Sequence, residues 1–154
     1  MENLAIVSPD TGGTHRAKAF LNRLERESHG SHAYTLALID KDRPKPGMVG
    51  EMTLIGEVEG KNVLLVDDMI SSGGTLVKAA ELLKGKGAKR MMCYGAHGLF
   101  TEGTKKLKSA YDTIITSNSH RQKDKSIEIV DVSRLFGEAM YRAQHGLSIS
   151  KLFE

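Results

Sequence analysis

The stretch Val63-Leu64-Leu65-Val66-Asp67-Asp68-Met69-Ile70-Ser71-Ser72-Gly73-Gly74-Thr75 restricts the possible folds of this chain more than any other. Val63 to Val66 runs apolar without alternation, as a strand buried on both faces does. Two carboxylates, Asp67 and Asp68, end the run, and a Ser/Gly turn leads to Thr75, where a helix is expected to open. Ser71, Ser72, Gly73, Gly74 and Thr75 offer hydroxyls and unhindered backbone amides at a helix start, which favours an anion. Strand, anion cradle and helix in that order predict a phosphate site at the carboxyl edge of a parallel sheet. The paired carboxylates would repel that phosphate, so they suit sugar hydroxyls or a divalent cation, and a sugar phosphate is the ligand class that satisfies both halves of the motif. A helix N-terminus with an ordinary polar cap and a glycine turn is the competing reading.

The rest of the chain is compatible with one domain, residues 1–154, large enough to bury a core without disulfides. A net charge of +3 with dispersed basic residues gives no argument for nucleic acid, and no run approaches the ~20 apolar residues of a membrane helix. The single cysteine, Cys93, lies in the apolar-leaning run Met91-Met92-Cys93-Tyr94. It reads as a core residue of a protein in a reducing, cytoplasmic compartment. The first residues carry no secretory signal pattern.

Leu4 to Val7 repeats the central pattern in shorter form: an apolar run, then the turn-rich Ser8-Pro9-Asp10-Thr11-Gly12-Gly13-Thr14. Ala17, Phe20, Leu21 and Leu24 follow at helical spacing, with Arg16 and Lys18 assigned to the polar remainder. His29 and His32 fall in a loop without a carboxylate or cysteine partner, which argues against metal. Ala33 to Ile39 predicts a strand ending in Asp40-Lys41-Asp42-Arg43-Pro44-Lys45-Pro46-Gly47, an exposed loop that is either a plain connection or a lid bringing Lys41 and Arg43 to an anion. Further strands are expected at Met52–Gly56, Arg90–Gly95, Thr113–Thr116 and Ile127–Val130. Helices are expected after Thr75, over Gly103–Ala110, and where Val132, Leu135, Phe136, Ala139 and Met140 share a face. The fold class is therefore α/β: an open, mostly parallel sheet with helices on both faces. The turns after Val7, Ile39 and Val66 should gather on one edge.

The central stretch resembles the phosphoribosyl pyrophosphate motif of the type I phosphoribosyltransferase fold. Three more segments resemble the ribose-phosphate pyrophosphokinase family in particular: Val7 to Gly13 its pyrophosphate loop, Asp40 to Pro44 its catalytic flexible loop, and Ser148-Ile149-Ser150-Lys151-Leu152-Phe153 its C-terminal tail. The resemblance covers essentially the whole chain but only the second of the family's two domains. It implies transfer of the β,γ-diphosphate of Mg-ATP to the 1-hydroxyl of ribose 5-phosphate, giving phosphoribosyl pyrophosphate and AMP. By the same resemblance, Ser71, Ser72, Gly73, Gly74 and Thr75 hold the 5-phosphate, and Asp67 with Asp68 the ribose hydroxyls. Thr11, Gly12 and Gly13 face the diphosphate, Asp10 contributes to a Mg2+ site, and Lys41 and Arg43 close over the transferring group. Ser148 and Ser150 correspond to residues of an allosteric site at a subunit interface of an oligomer. Their alternative reading is the polar edge of a strand-like tail whose Ile149, Leu152 and Phe153 pack on the core.

Ser71 departs from the aspartate common in the synthetases towards the transferases. The implied partner is the N-terminal half of the enzyme, without which the domain should bind ribose 5-phosphate or its diphosphorylated product and catalyse little. A stand-alone phosphoribosyltransferase is the main alternative, although residues 1–30 offer no hood for a base. A non-catalytic sugar-phosphate sensor is another, and it would have no need of Lys41 and Arg43.

Overall fold

The structure is a computed structural model that describes residues 3–29, 32, 34–41 and 52–153. Strands β1 (Leu4–Ser8), β2 (Tyr34–Lys41), β3 (Met52–Ile55), β4 (Asn62–Ile70), β5 (Met91–Gly98), β6 (Thr113–Ser117) and β7 (Glu128–Val130) form one sheet in the order β3-β2-β1-β4-β5-β6-β7. Only β3 runs antiparallel to its neighbour. The apolar runs that lack alternation occupy the centre: β1 lies between β2 and β4, and all five of its residues are buried. A strand covered on both faces has no polar side, which is why Leu4 to Val7 and Val63 to Val66 read as continuous apolar sequence.

The residues of these strands divide between two layers. Ala5, Val7, Val63, Leu65, Met91, Cys93 and Ile114 pack with Leu76, Ala79, Ala80 and Leu83 of α2 (Gly74–Gly85) and Leu107 and Ala110 of α3 (Lys105–Ala110). Leu4, Ile6, Leu64, Val66 and Met92 pack with Ala17 and Leu21 of α1 (Thr14–Glu27), while Phe20 and Leu24 lie partly buried against the same layer. The helical spacing in the sequence thus marks the buried face of α1. Gly87, just beyond α2, has φ +82°, the left-handed conformation in which glycine commonly ends a helix.

Several expectations need correction. The strand expected to stop at Val66 continues through both aspartates to Ile70, because β5 also runs on to Gly98 and pairs Met69 with His97 and Ile70 with Gly98. Asp40 and Lys41, expected in an exposed loop, pair with Thr53 and Met52 and so belong to the sheet; the remainder of that loop, with Arg43, lies outside the described residues. The tail is not strand-like: residues 150–152 form a short 3-10 turn, and Ile149 and Phe153 are exposed rather than packed on the core. The last helix, α4 (Ser133–Gln144), does form, yet it buries no residue, and Leu135, Phe136, Met140 and Tyr141 face outward.

Candidate functional site at the carboxyl edge of the central strands

Because β1, β2 and β4 are parallel neighbours, their carboxyl ends, Ser8, Lys41 and Ile70, lie at the same edge of the sheet. The turns that follow β1 and β4 form the candidate site.

The first is the β1–α1 turn. Asp10 folds it: its Oδ1 accepts the Gly13 amide at 2.7 Å, and its backbone carbonyl accepts the buried Ser8 hydroxyl at 2.6 Å. One carboxylate oxygen of Asp10 is thereby spent on the turn. Thr11 and Gly12 are exposed at the tip, whereas Gly13 is buried and its amide is already engaged, so of the three residues expected to meet a diphosphate, two lie open. A Cβ on Gly13 would come within 2.8 Å of Ser8 Oγ and 3.1 Å of Arg16 Nη1, which explains the glycine by close approach rather than by backbone conformation.

The second is the β4–α2 turn. Gly73 is its pivot, buried, with φ +81°, and its carbonyl starts α2 by accepting the Val77 amide at 3.0 Å. Ser71, Gly74 and Thr75 are exposed around it and Ser72 is half-buried, its Oγ accepting the Gly74 amide at 3.4 Å, so exposed hydroxyl residues surround the start of the helix. The turn is fixed from below. Ile70 O accepts the Leu99 and Phe100 amides at 2.9 and 3.2 Å, and Ser71 O accepts the Thr101 amide at 3.0 Å. The Ile70 side chain lies over Gly95, where a Cβ would come within 2.4 Å of it. Tyr111 ties α2 down by donating its buried hydroxyl to Leu76 O at 2.7 Å.

Between the turns stand the two carboxylates. Asp67 Oδ1 accepts the Asp68 amide at 2.9 Å and Arg16 Nη1 at 3.3 Å; Asp68 Oδ2 accepts Arg16 Nη2 at 2.8 Å. Burial pushes the Asp67 carboxyl up to about 6. The Asp68 amide opposes that rise, the Asp68 carboxylate adds to it, and the Arg16 charge opposes it. Asp67 is therefore mainly ionised at neutral pH but close enough to titration to feel its neighbours.

Arg16 was assigned to the solvent face of α1 on spacing alone. Its guanidinium instead crosses from the first turn of α1 to β4. No local signal announced this, since a long side chain on a polar face looks the same in sequence whether it ends in water or on a carboxylate 51 residues away. His97 was also not singled out. It lies across from Met69 in the β4–β5 register, and its Nδ1 is 2.9 Å from Ser119 Oγ. Lys41, the last residue of β2, is half-buried. Ser148 and Ser150 are exposed in the tail, and the Ser148 carbonyl accepts Arg142 Nη1 at 3.1 Å.

Among the described residues no three His, Cys, Asp or Glu side chains cluster closely enough to form a metal cage. Asp10, with one oxygen on the Gly13 amide, keeps a second carboxylate oxygen of the kind that could hold a Mg2+.

A glycine-pivoted turn at the start of α2, a carboxylate pair and a second glycine turn gather on one edge of a parallel sheet, the arrangement of an α/β ligand site. The chain belongs to the phosphoribosyl transferase domain family, whose model matches residues 1–135. Among its relatives, ribose-phosphate pyrophosphokinase of Aquifex aeolicus is 37% identical over 158 residues and that of Wolinella succinogenes 38% over 157, in each case over 99% of this chain and 48% of the relative. The enzyme of the same name from Maricaulis maris is 39% identical over 160 residues, 99% of this chain and 49% of its own length. The chain thus spans about half the length of the curated relatives it matches, and its similarity is to the C-terminal domain of that enzyme family. In fold it is similar to phosphoribosylpyrophosphate synthetase from Mycobacterium smegmatis, with a TM-score of 0.75 at 24% identity over 94% of this chain and 46% of the other. The fold also extends to adenine phosphoribosyltransferase from Thermoanaerobacter pseudethanolicus, with a TM-score of 0.53 at 17% identity over 86% and 70% of the two chains. No helix among the described residues is long and apolar enough to cross a membrane.

Proposed function

We propose that this chain is the sugar-phosphate half of a ribose-phosphate diphosphokinase. Ser71 to Thr75 receive the 5-phosphate of ribose 5-phosphate, and Asp67 and Asp68 accept hydrogen bonds from its ring hydroxyls. Asp10 and the exposed Thr11 and Gly12 meet the diphosphate of ATP with its Mg2+, which supplies charge neutralisation on the phosphate oxygens when bound. The 1-hydroxyl oxygen forms a bond to the β-phosphorus of ATP and loses its proton. The bond from that phosphorus to the oxygen bridging the α-phosphate breaks, and AMP leaves. The protein's contribution is alignment and stabilisation of charge on the transferring group, the role given to Lys41 and, outside the described residues, Arg43.

The observation that carries this reading is Arg16. Its amide donates to Gly13 O of the β1 turn and its guanidinium to both carboxylates of β4, which supports reading the proposed diphosphate loop and ribose cradle as parts of one site. The curated relatives contain about as much chain again, and the N-terminal half they carry is the proposed partner. The uncovered face of α4, with Leu135, Phe136, Met140 and Tyr141, offers it an apolar surface. Ser148 and Ser150, exposed in the tail, are proposed to serve an allosteric anion in the oligomer of the complete enzyme, which acts in the cytoplasm. Calorimetric titration of the chain with ribose 5-phosphate tests the binding step. Saturable binding that Asp67→Asn abolishes is expected, and no binding by the unaltered chain would overturn the reading.

One observation favours a second reading: Ser71, with a hydroxyl where the synthetases commonly carry aspartate, is closer to the transferases. Pyrophosphate release from phosphoribosyl pyrophosphate on addition of a nucleobase would establish that activity instead.

A further inference from the structure

The most informative group at this edge is one that bears neither phosphate-binding nor sugar-binding atoms in the reading above. Arg16 meets each aspartate through a different nitrogen of the guanidinium, Nη1 to Asp67 Oδ1 and Nη2 to Asp68 Oδ2. Among the described residues, Arg16 thus engages one oxygen of each carboxylate, Asp67 Oδ1 and Asp68 Oδ2, and donates to neither Asp67 Oδ2 nor Asp68 Oδ1. A planar fork holds two acceptors at a set separation, which a lysine ammonium on a flexible stem cannot do. The two aspartates also differ in setting: the Asp67 side chain is 19% exposed and that of Asp68 61%. An exposed aspartate next in sequence to a half-buried one would otherwise swing freely into water, away from a bound sugar. The fork removes that freedom before any ligand arrives.

We propose that Arg16 is a positioning residue for the sugar: its guanidinium, forked across Asp67 and Asp68, fixes the pair so that each turns its remaining oxygen to one hydroxyl of a vicinal diol. This rests on the reading of the site as a ribose-phosphate cradle, and it assigns to α1 a part in sugar recognition beyond the diphosphate loop that precedes it. The same geometry makes the site selective for a sugar with both hydroxyls. A deoxy sugar leaves one oriented carboxylate oxygen with no donor in a partly dehydrated place.

The test is calorimetric titration of the full chain and of Arg16→Ala and Arg16→Lys with three probes: ribose 5-phosphate, 2-deoxyribose 5-phosphate and inorganic phosphate. For the unaltered chain, ribose 5-phosphate should bind at least tenfold more tightly than the deoxy sugar. Arg16→Ala should lose about tenfold or more in affinity for ribose 5-phosphate and most of the discrimination between the two sugars, while inorganic phosphate, held by Ser71 to Thr75, binds as before. Arg16→Lys, which keeps the charge and loses the fork, should recover less than half of the discrimination on a logarithmic scale. Unchanged phosphate binding also certifies that the variants are folded. If Arg16→Ala keeps the discrimination, or if it weakens all three probes equally, the positioning role is wrong and Arg16 is a structural tie or an anion contact. If the unaltered chain binds neither sugar, the cradle reading itself fails and the role of Arg16 falls with it.

Discussion

Replacing the buried Gly73 by alanine should destabilise this domain through backbone conformation and packing together. Gly73 has φ +81°, and an added Cβ would meet Leu107 Cδ1 at 2.8 Å, Cγ at 3.0 Å and Cδ2 at 3.2 Å. Leu107 cannot easily give way, since it is 1% exposed and packed among the α2 and α3 residues of the larger core layer. The left-handed conformation costs an alanine about 1–2 kcal/mol. Forcing a methyl into a packed core adds roughly 1–3 kcal/mol. The lower freedom of the unfolded alanine chain offsets less than ~1 kcal/mol of this. A net loss of about 1–4 kcal/mol is expected, measured as the free energy of unfolding in urea. Gly85→Ala supplies the control, because a Cβ there has nothing within 4 Å and Gly85 is the last residue of α2. Whatever Gly73→Ala relieves by moving Leu107 or the turn displaces the start of α2, so affinity for inorganic phosphate should fall as well. Equal stability of the two variants, with phosphate binding retained in both, would refute the claim that Gly73 is the conformational pivot of the cradle.

Other outcomes follow from single groups. The Asp67 carboxyl rises from 3.8 to about 6 on folding, so it holds its proton more tightly folded than unfolded. The stability it contributes is present below about pH 4 and is lost as the pH climbs through about 6. Asp67→Asn should flatten that decline in urea midpoints between pH 4 and 7 while losing ribose 5-phosphate binding, and a decline unchanged from wild type would mean another group causes it. Cys93 is wholly buried and its thiol is pushed up to about 12, so a thiol reagent should label it only on unfolding; rapid labelling of the native protein would contradict this packing. Lys41→Ala, in the enzyme reconstituted with its other half, should lower turnover on the order of a hundredfold with little change in ribose 5-phosphate affinity. An unaltered turnover number would remove Lys41 from the transition state.

The central elements were legible because their physics is local. β1 and β4 announce themselves by unbroken apolar sequence, α1 by the spacing of Ala17, Phe20, Leu21 and Leu24, and the turn before α2 by its glycines, of which Gly73 stands where only glycine fits. The end of β4 was misread because an aspartate pair looks like a strand terminator, whereas the length of β4 is set by β5, which pairs with it as far as Ile70 and Gly98. Arg16 was missed for the same kind of reason: its partners lie in β4, beyond any window that periodicity covers. The tail and α4 show the opposite error. Ile149, Leu152, Phe153 and the α4 stripe carry real apolar patterns, but a pattern states that a face wants covering and does not name what covers it. Within this domain Phe153 is 84% exposed and Met140 67%.

The proposal that this domain supplies the ribose-phosphate half of a diphosphokinase is tested most directly by following AMP release from Mg-ATP and ribose 5-phosphate, with and without a separately produced N-terminal half of a ribose-phosphate pyrophosphokinase relative. Release of AMP that depends on both halves and on ribose 5-phosphate is the expected result. No release from the combined halves, in a mixture where the chain demonstrably binds ribose 5-phosphate, would contradict it, as would rapid release by this chain alone.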